Sequence, residues 1–202
     1  VPHVVLLGDS IFDNAAYVRG GPDVIAQLRP LLPDHWRATL AAVDGAVIDG
    51  VARQVAAAPP DATHLVLSVG GNDALGHVGL LDRRASSSAE VLGWFADAVE
   101  EFEQRYRRML GVVVARGLPV VACTIYNGNL GEPAQRLATV ALALFNDAIV
   151  RVTREHDVPV IELRDVCTVA GDYANPIEPS VQGGAKIAHA IADVLEWLDP
   201  GS

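Results

Sequence analysis

Aromatic residues make up only 5% of this 202-residue chain, cysteine occurs twice, methionine once, and no uninterrupted apolar run reaches the length of a membrane helix. Each shortage excludes something. Without a run of about 18 apolar residues there is no candidate transmembrane helix. Two cysteines without metal-ligand spacing give neither a zinc site nor a disulfide framework, so Cys123 and Cys167 are expected as free thiols, with a single bridge as the alternative. Basic residues are in deficit too. Fifteen Lys and Arg stand against 25 Asp and Glu, a formal charge of -10. With no basic stripe, that field argues against nucleic acid and anionic membrane surfaces as partners and favours a neutral or cationic small molecule.

Hydrophobic residues are plentiful, at 50% of the chain. They are mostly Val, Leu, Ile and Ala, the composition of parallel strands buried between helices. Strand-like runs at about 3–8, 37–43, 64–69, 118–124 and 158–163 alternate with helical patterns, the rhythm of repeated βα units on a five-stranded parallel sheet. We read residues 1–202 as one domain. Helices are expected from Pro22-Asp23 to Leu31, from an Asp49 cap to Ala58, and after the capping-box spacing Ser87-x-x-Glu90. The last of these carries Val91, Phe95, Ala98, Phe102, Tyr106, Met109 and Val113 on one core-facing stripe. Pro133 opens a fourth helix with Leu137, Ala141, Leu144, Ala148 and Val152 inward, and Gly183-Gly184 leads into the last. The first strand begins almost at Val1, which predicts no signal peptide and a cytoplasmic protein, with a processed export form as the alternative.

In parallel sheets, every βα loop leaves from the same edge, and ligands bind there. Ser10 in Gly8-Asp9-Ser10, the turn at Gly45, Asn72 in Gly70-Gly71-Asn72-Asp73, Tyr126-Asn127, and the 172–180 loop therefore share one rim. A hydroxyl with a side-chain amide and turn N–H groups beside it is the material of acyl transfer, with Ser10 as nucleophile and the Ser10 N–H, Gly45 N–H and Asn72 amide as oxyanion donors. Plainer roles exist for each: a helix cap for Ser10 and turn residues for Gly45 and Asn72.

With these blocks in place, the chain resembles the SGNH, or GDSL-type, hydrolases through Leu7-Gly8-Asp9-Ser10 and Gly70-Gly71-Asn72-Asp73. The resemblance implies a flavodoxin-like three-layer α/β/α sandwich and a cofactor-free serine esterase, with no metal. It also implies the acyl-enzyme and oxyanion roles just named. The family's last block reads Asp-x-x-His, and here Asn175 and Glu178 occupy those places ahead of Gly183-Gly184. Acid and base have both changed type.

His3, His35, His64 and His156 precede or begin strands and belong to the opposite edge, and His189 lies inside the last helix. Two base candidates remain. Glu178, among Pro176, Ile177 and Pro179, gains basicity if buried; otherwise it is a loop carboxylate pairing with Lys186 or Arg164. His77, bracketed by Gly76 and Gly79, is the alternative base or a plain loop residue. Tyr126, Asn127 and Asn175 are expected to shape a substrate pocket. The expected function is hydrolysis of small carboxylic esters with acetyl or short acyl groups. A silent binding module for a carboxylate or acylated small molecule is the rival reading.

Overall fold

The structure is a computed structural model and describes residues 1–198. Residues 199–202 of the expected domain lie outside the described residues. Strands β1 (His3–Gly8), β2 (Arg37–Leu40), β3 (His64–Ser68), β4 (Val120–Cys123) and β5 (Val160–Ile161) form one sheet in the order β2-β1-β3-β4-β5, and every pairing is parallel.

The period of two along each strand divides the core. Val5 and Leu7 of β1, Leu65 and Leu67 of β3, and Val120 and Ala122 of β4 face one layer. Val4 and Leu6, Val66, and Val121 and Cys123 face the other. The first layer holds α2 (Val51–Ala57), α4 (Ser88–Val114) and α5 (Ala134–Arg154); the second holds α1 (Val24–Leu28), α6 (Leu163–Val166) and α7 (Val181–Leu198). A short helix, α3 (Gly71–Leu75), follows β3 at the rim. Both sheet faces are thus covered, the three-layer α/β/α arrangement expected from the sequence.

Several boundaries differ for local reasons. β5 is only two residues long because Glu162 leaves the strand to cap α6, accepting the Arg164 N–H at 3.2 Å. Asp49 does not cap α2; it lies in a 3₁₀ turn and pairs with Arg105 at 3.1 Å. Ser87 caps α4 as expected, accepting the Glu90 N–H at 3.2 Å. Ser180, not the Gly pair, opens α7, its Oγ accepting the Gly183 N–H at 3.1 Å. Gly183 packs directly on the Asp172 carbonyl, where no Cβ fits.

Helices α4 and α5 outreach the sheet. With 27 residues, α4 is about 40 Å long, whereas the strands run for roughly 20 Å or less. The first buried positions are Ala98 in α4 and Phe145 in α5, so the initial turns of both helices overhang the strand ends. Here the expected inward stripe of α5 fails. Leu137 and Leu144 are 50% and 41% exposed: Leu137 lies in the first turn, ahead of any buried position, and Leu144 sits off the face that buries Phe145, Ala148, Ile149 and Val152. Among the described residues no helix is long and apolar enough to cross a membrane. Cys123 and Cys167 are buried free thiols, and burial holds the Cys167 thiol up at about 12.

Candidate active site

Ser10 owes its position to the exit from β1. Gly8 has φ +123°, and a Cβ there would collide with the Ser68 carbonyl of the neighbouring strand, so only glycine lets the two strand ends approach. Its N–H and C=O are both gripped by Gln54 of α2, at 2.7 and 2.8 Å. The Asp9 N–H then donates to Ser68 O at 3.0 Å, and the next residue, Ser10, is buried with its Oγ donating to Glu178 Oε1 at 3.1 Å. Nucleophile and carboxylate, 168 positions apart in sequence, meet directly.

The loop carrying Glu178 is held by its backbone. Four consecutive carbonyls each accept a hydrogen bond: Pro176 from the Asn129 N–H, Ile177 from the Tyr126 hydroxyl, Glu178 from the Ala174 N–H, and Pro179 from the Asn14 amide. Asn175 Oδ1 closes the turn from the other side, accepting the Ile177 and Glu178 N–H groups, each at 2.9 Å. Behind the loop, the buried Asp172 carboxylate accepts from Lys186 at 2.8 Å and from Gln182, Thr168 and Val169. Burial opposes that charge, but those donors together hold Asp172 below its ordinary pKa.

Neither cation weighed as a partner for Glu178 pairs with it. Lys186 is engaged by Asp172, and Arg164 by Glu162 at 2.5 Å. Among the described residues Glu178 has no salt-bridge partner, and its Oε2 is buried without any hydrogen-bond partner. Burial therefore raises its pKa to about 6, the Ser10 hydrogen bond opposing and the nearby Asp44 charge adding to the rise. Asp9, fully buried, is pushed to about 7 by burial, opposed by the Ile11 N–H and reinforced by the charge of Glu178.

Of the expected oxyanion donors, Ser10 and Asn72 line one cavity with Glu178, whereas Gly45 is not among its lining residues. The Ser10 and Gly45 N–H groups donate to nothing among the described residues. Gly45 has φ +75° in an exposed turn whose neighbour Asp44 N–H is tied to Asp13 at 2.9 Å. The Asn72 amide spends one hydrogen on Ala46 O at 2.9 Å, which orients the side chain and leaves its second hydrogen available. The buried Asp73 carboxylate underpins this region, accepting the Ile48 N–H at 3.0 Å and meeting Arg105 at 2.7 Å.

A cavity of about 420 Å³ adjoins Ser10 and Glu178. Tyr126 and Asn127 line it, and Asn127 Oδ1 is buried there without a partner. Asn175 does not line it, contrary to expectation, because its carbonyl oxygen is consumed by the turn. His77 lines the same cavity, but its ring stacks on Phe145 at 5.8 Å and makes no hydrogen bond to Ser10. Of the two base candidates, the structure brings Glu178 to the serine hydroxyl.

Sequence reasoning missed the residues that hold the site together. Asn14 reads as a turn residue, yet it is buried and bridges the Val24 N–H to Pro179 O, joining the Ser10 segment to the Glu178 loop. No local pattern marks it.

Among solved structures, the fold resembles a carbohydrate acetylesterase from Sinorhizobium meliloti, with TM-score 0.69 and 12% identity over 98% of this chain and 100% of that one. A phospholipase A1 from Streptomyces albidoflavus gives 0.68 and 16%, over 96% and 98%. A lipase/acylhydrolase from Enterococcus faecalis gives 0.68 and 18%, over 98% and 97%. A search of curated proteins returned no match. Residues 6–185 match the GDSL-like lipase/acylhydrolase family, and the chain belongs to it.

Proposed function

We propose that the protein is a serine ester hydrolase in which a Ser10–Glu178 dyad replaces the usual triad. The observation carrying this reading is the direct 3.1 Å hydrogen bond from Ser10 Oγ to a buried carboxylate that no cation among the described residues pairs with. Membership of an acylhydrolase family supports the reaction class.

Ser10 Oγ attacks the ester carbonyl carbon and passes its proton to Glu178, while the carbonyl oxygen takes up the negative charge. The Ser10 N–H, the Gly45 N–H and the free Asn72 amide hydrogen are the donors available to that oxygen. Collapse of the intermediate expels the alkoxide, which takes the proton from Glu178 and leaves an acyl-Ser10 ester. Water then attacks this ester as Glu178 again accepts and returns one proton, releasing the acid and free Ser10.

A carboxylate base accounts for the second change in the last block. A histidine base becomes a cation when protonated, and a neighbouring Asp stabilises that cation. Glu178 becomes neutral on taking the proton and needs no counter-charge. An anion at position 175 would only repel its resting form, and Asn175 supplies the turn without the charge. With a pKa of about 6, Glu178 is also close in basicity to a histidine near 6.5.

Hydrolysis of p-nitrophenyl acetate by the wild-type protein beside Ser10→Ala is the direct test. Turnover is expected to fall to background in the variant. Equal rates in the two proteins would refute the esterase reading and favour a binding module that retains the pocket.

A further inference from the structure

Asn72 and the Gly45 turn carry two of the expected oxyanion donors, yet they belong to different βα loops, one after β3 and the other after β2. Their relative placement needs a cross-link. Asn72 supplies part of it, donating from its amide to Ala46 O at 2.9 Å. The next residue supplies the rest: Asp73 Oδ2 accepts the Ile48 N–H at 3.0 Å, so the turn from Ala46 to Ile48 is gripped at both ends by neighbouring residues of α3.

The second grip depends on a carboxylate in costly surroundings. The Asp73 side chain is 1% exposed, and its Oδ1 is buried without a hydrogen-bond partner. What faces that oxygen is charge. Arg105 Nη2, from α4, stands 2.7 Å from Asp73 Oδ1 and donates to Asp49 Oδ2 at 3.1 Å, while Arg105 Nε adds a 3.4 Å bond to the same Asp49 carboxylate. Asp49 shares a 3₁₀ turn with Ile48. One guanidinium thus joins a carboxylate from each of the two oxyanion loops. Arg105 is not among the residues lining the cavity beside Ser10, so it acts on those loops and not on the substrate.

We propose, resting on the esterase reading above, that Arg105 is a positioning residue for the oxyanion donors: by bridging Asp73 to Asp49 it holds the Gly45 turn against the helix that presents Asn72. Burial pushes the Asp73 pKa up, and the Ile48 N–H and Arg105 both oppose the rise. Removing the guanidinium leaves a buried anion that either neutralises or turns toward water, and both changes weaken its hold on Ile48. The loss falls on the transition state, where charge develops on the carbonyl oxygen.

The test is steady-state hydrolysis of p-nitrophenyl acetate by wild type and Arg105→Met, with Arg105→Gln standing in should the methionine variant fail to fold. Arg107→Met is the control, removing another α4 arginine whose partners, Glu103 and Glu155, belong to α4 and the end of α5. Affinity for butaneboronic acid, whose boron adds Ser10 Oγ with loss of the hydroxyl proton and becomes a tetrahedral anion, reads the oxyanion site directly. The Arg105 variant is expected to lose about 10–100-fold in kcat with KM nearly unchanged and to bind the boronate more weakly by a similar factor. Arg107→Met should match wild type. A folded Arg105 variant with wild-type kcat, a loss confined to KM, an unmoved boronate affinity, or an equal loss in Arg107→Met would overturn the positioning role while leaving the esterase intact. Wild-type turnover no faster than that of Ser10→Ala would instead refute the esterase reading, and the role of Arg105 with it.

Discussion

Replacing Glu178 with Gln separates catalysis from stability in opposite directions. The amide keeps the shape and can still accept the Ser10 hydroxyl, but it cannot take the proton. Loss of general-base catalysis costs about 10²–10⁴ in kcat. Folding should respond the other way. Glu178 is buried, and its pKa stands at about 6 against an ordinary 4.5. An acid whose pKa is raised by folding holds more protons in the native state, so stability declines as pH rises from about 4.5 through 6. At roughly 1.4 kcal/mol per pKa unit, the full shift amounts to about 2 kcal/mol. Local relaxation and water penetration around the buried carboxylate keep the realised share nearer ~1 kcal/mol. Glu178→Gln should therefore raise the melting temperature at pH 8 by roughly 2–4 °C, with the gain disappearing below about pH 4.5. Thermal melts at pH 4 and pH 8, run beside steady-state hydrolysis, read both effects. A variant that loses stability at both pH values, or keeps more than a tenth of wild-type kcat, would refute the account of Glu178 as a strained buried base.

Three other outcomes follow from the same geometry. The wild-type kcat/KM is expected to rise through a single ionisation near pH 6 and level off above it, whereas a pH-independent rate between 5 and 8 would remove Glu178 from the mechanism. In Asn175→Asp, a carboxylate beside the Glu178 turn should move that limb to higher pH; an unmoved or lowered limb would contradict the charge argument. Gly8→Ala forces a Cβ into Ser68 O at φ +123° and is expected to destabilise by more than about 4 kcal/mol, measurable by urea unfolding; a loss under ~1 kcal/mol would show that the strand ends can part.

What could be read from the sequence followed from short-range rules. Alternating and continuous apolar runs located all five strands, and glycine-bearing turns after two of them placed Ser10 and Asn72 at one edge. The meeting of Ser10 with Glu178 was accessible because parallel topology constrains where loops emerge. Other features depend on quantities that no local window contains. Whether Lys186 goes to Asp172 or Glu178 depends on side-chain reach across a loop and the first turn of α7. The exposure of Leu137 depends on how far α5 extends past a sheet whose strands are only a few residues long, and that of Leu144 on which face of α5 meets the core. The cavity, lined by Phe95, Leu137 and Ala141 of the overhanging turns, arises from that mismatch in length, so helix periodicity alone assigned Leu137 to the core.

The overhang of α4 and α5 also bears on how this protein can change. Gly8, Gln54 and the Ser10 turn are locked into the sheet edge, and alteration there threatens folding. The first ten or so residues of each overhanging helix bury nothing against the strands. Substitutions at Phe95, Leu137 or Ala141 should therefore spread through a mutant library with little loss of expression while altering what the cavity admits. Chemistry and selectivity are carried by regions with different mutational tolerance, so a selection for new substrates would be expected to accumulate its changes in the helical overhang.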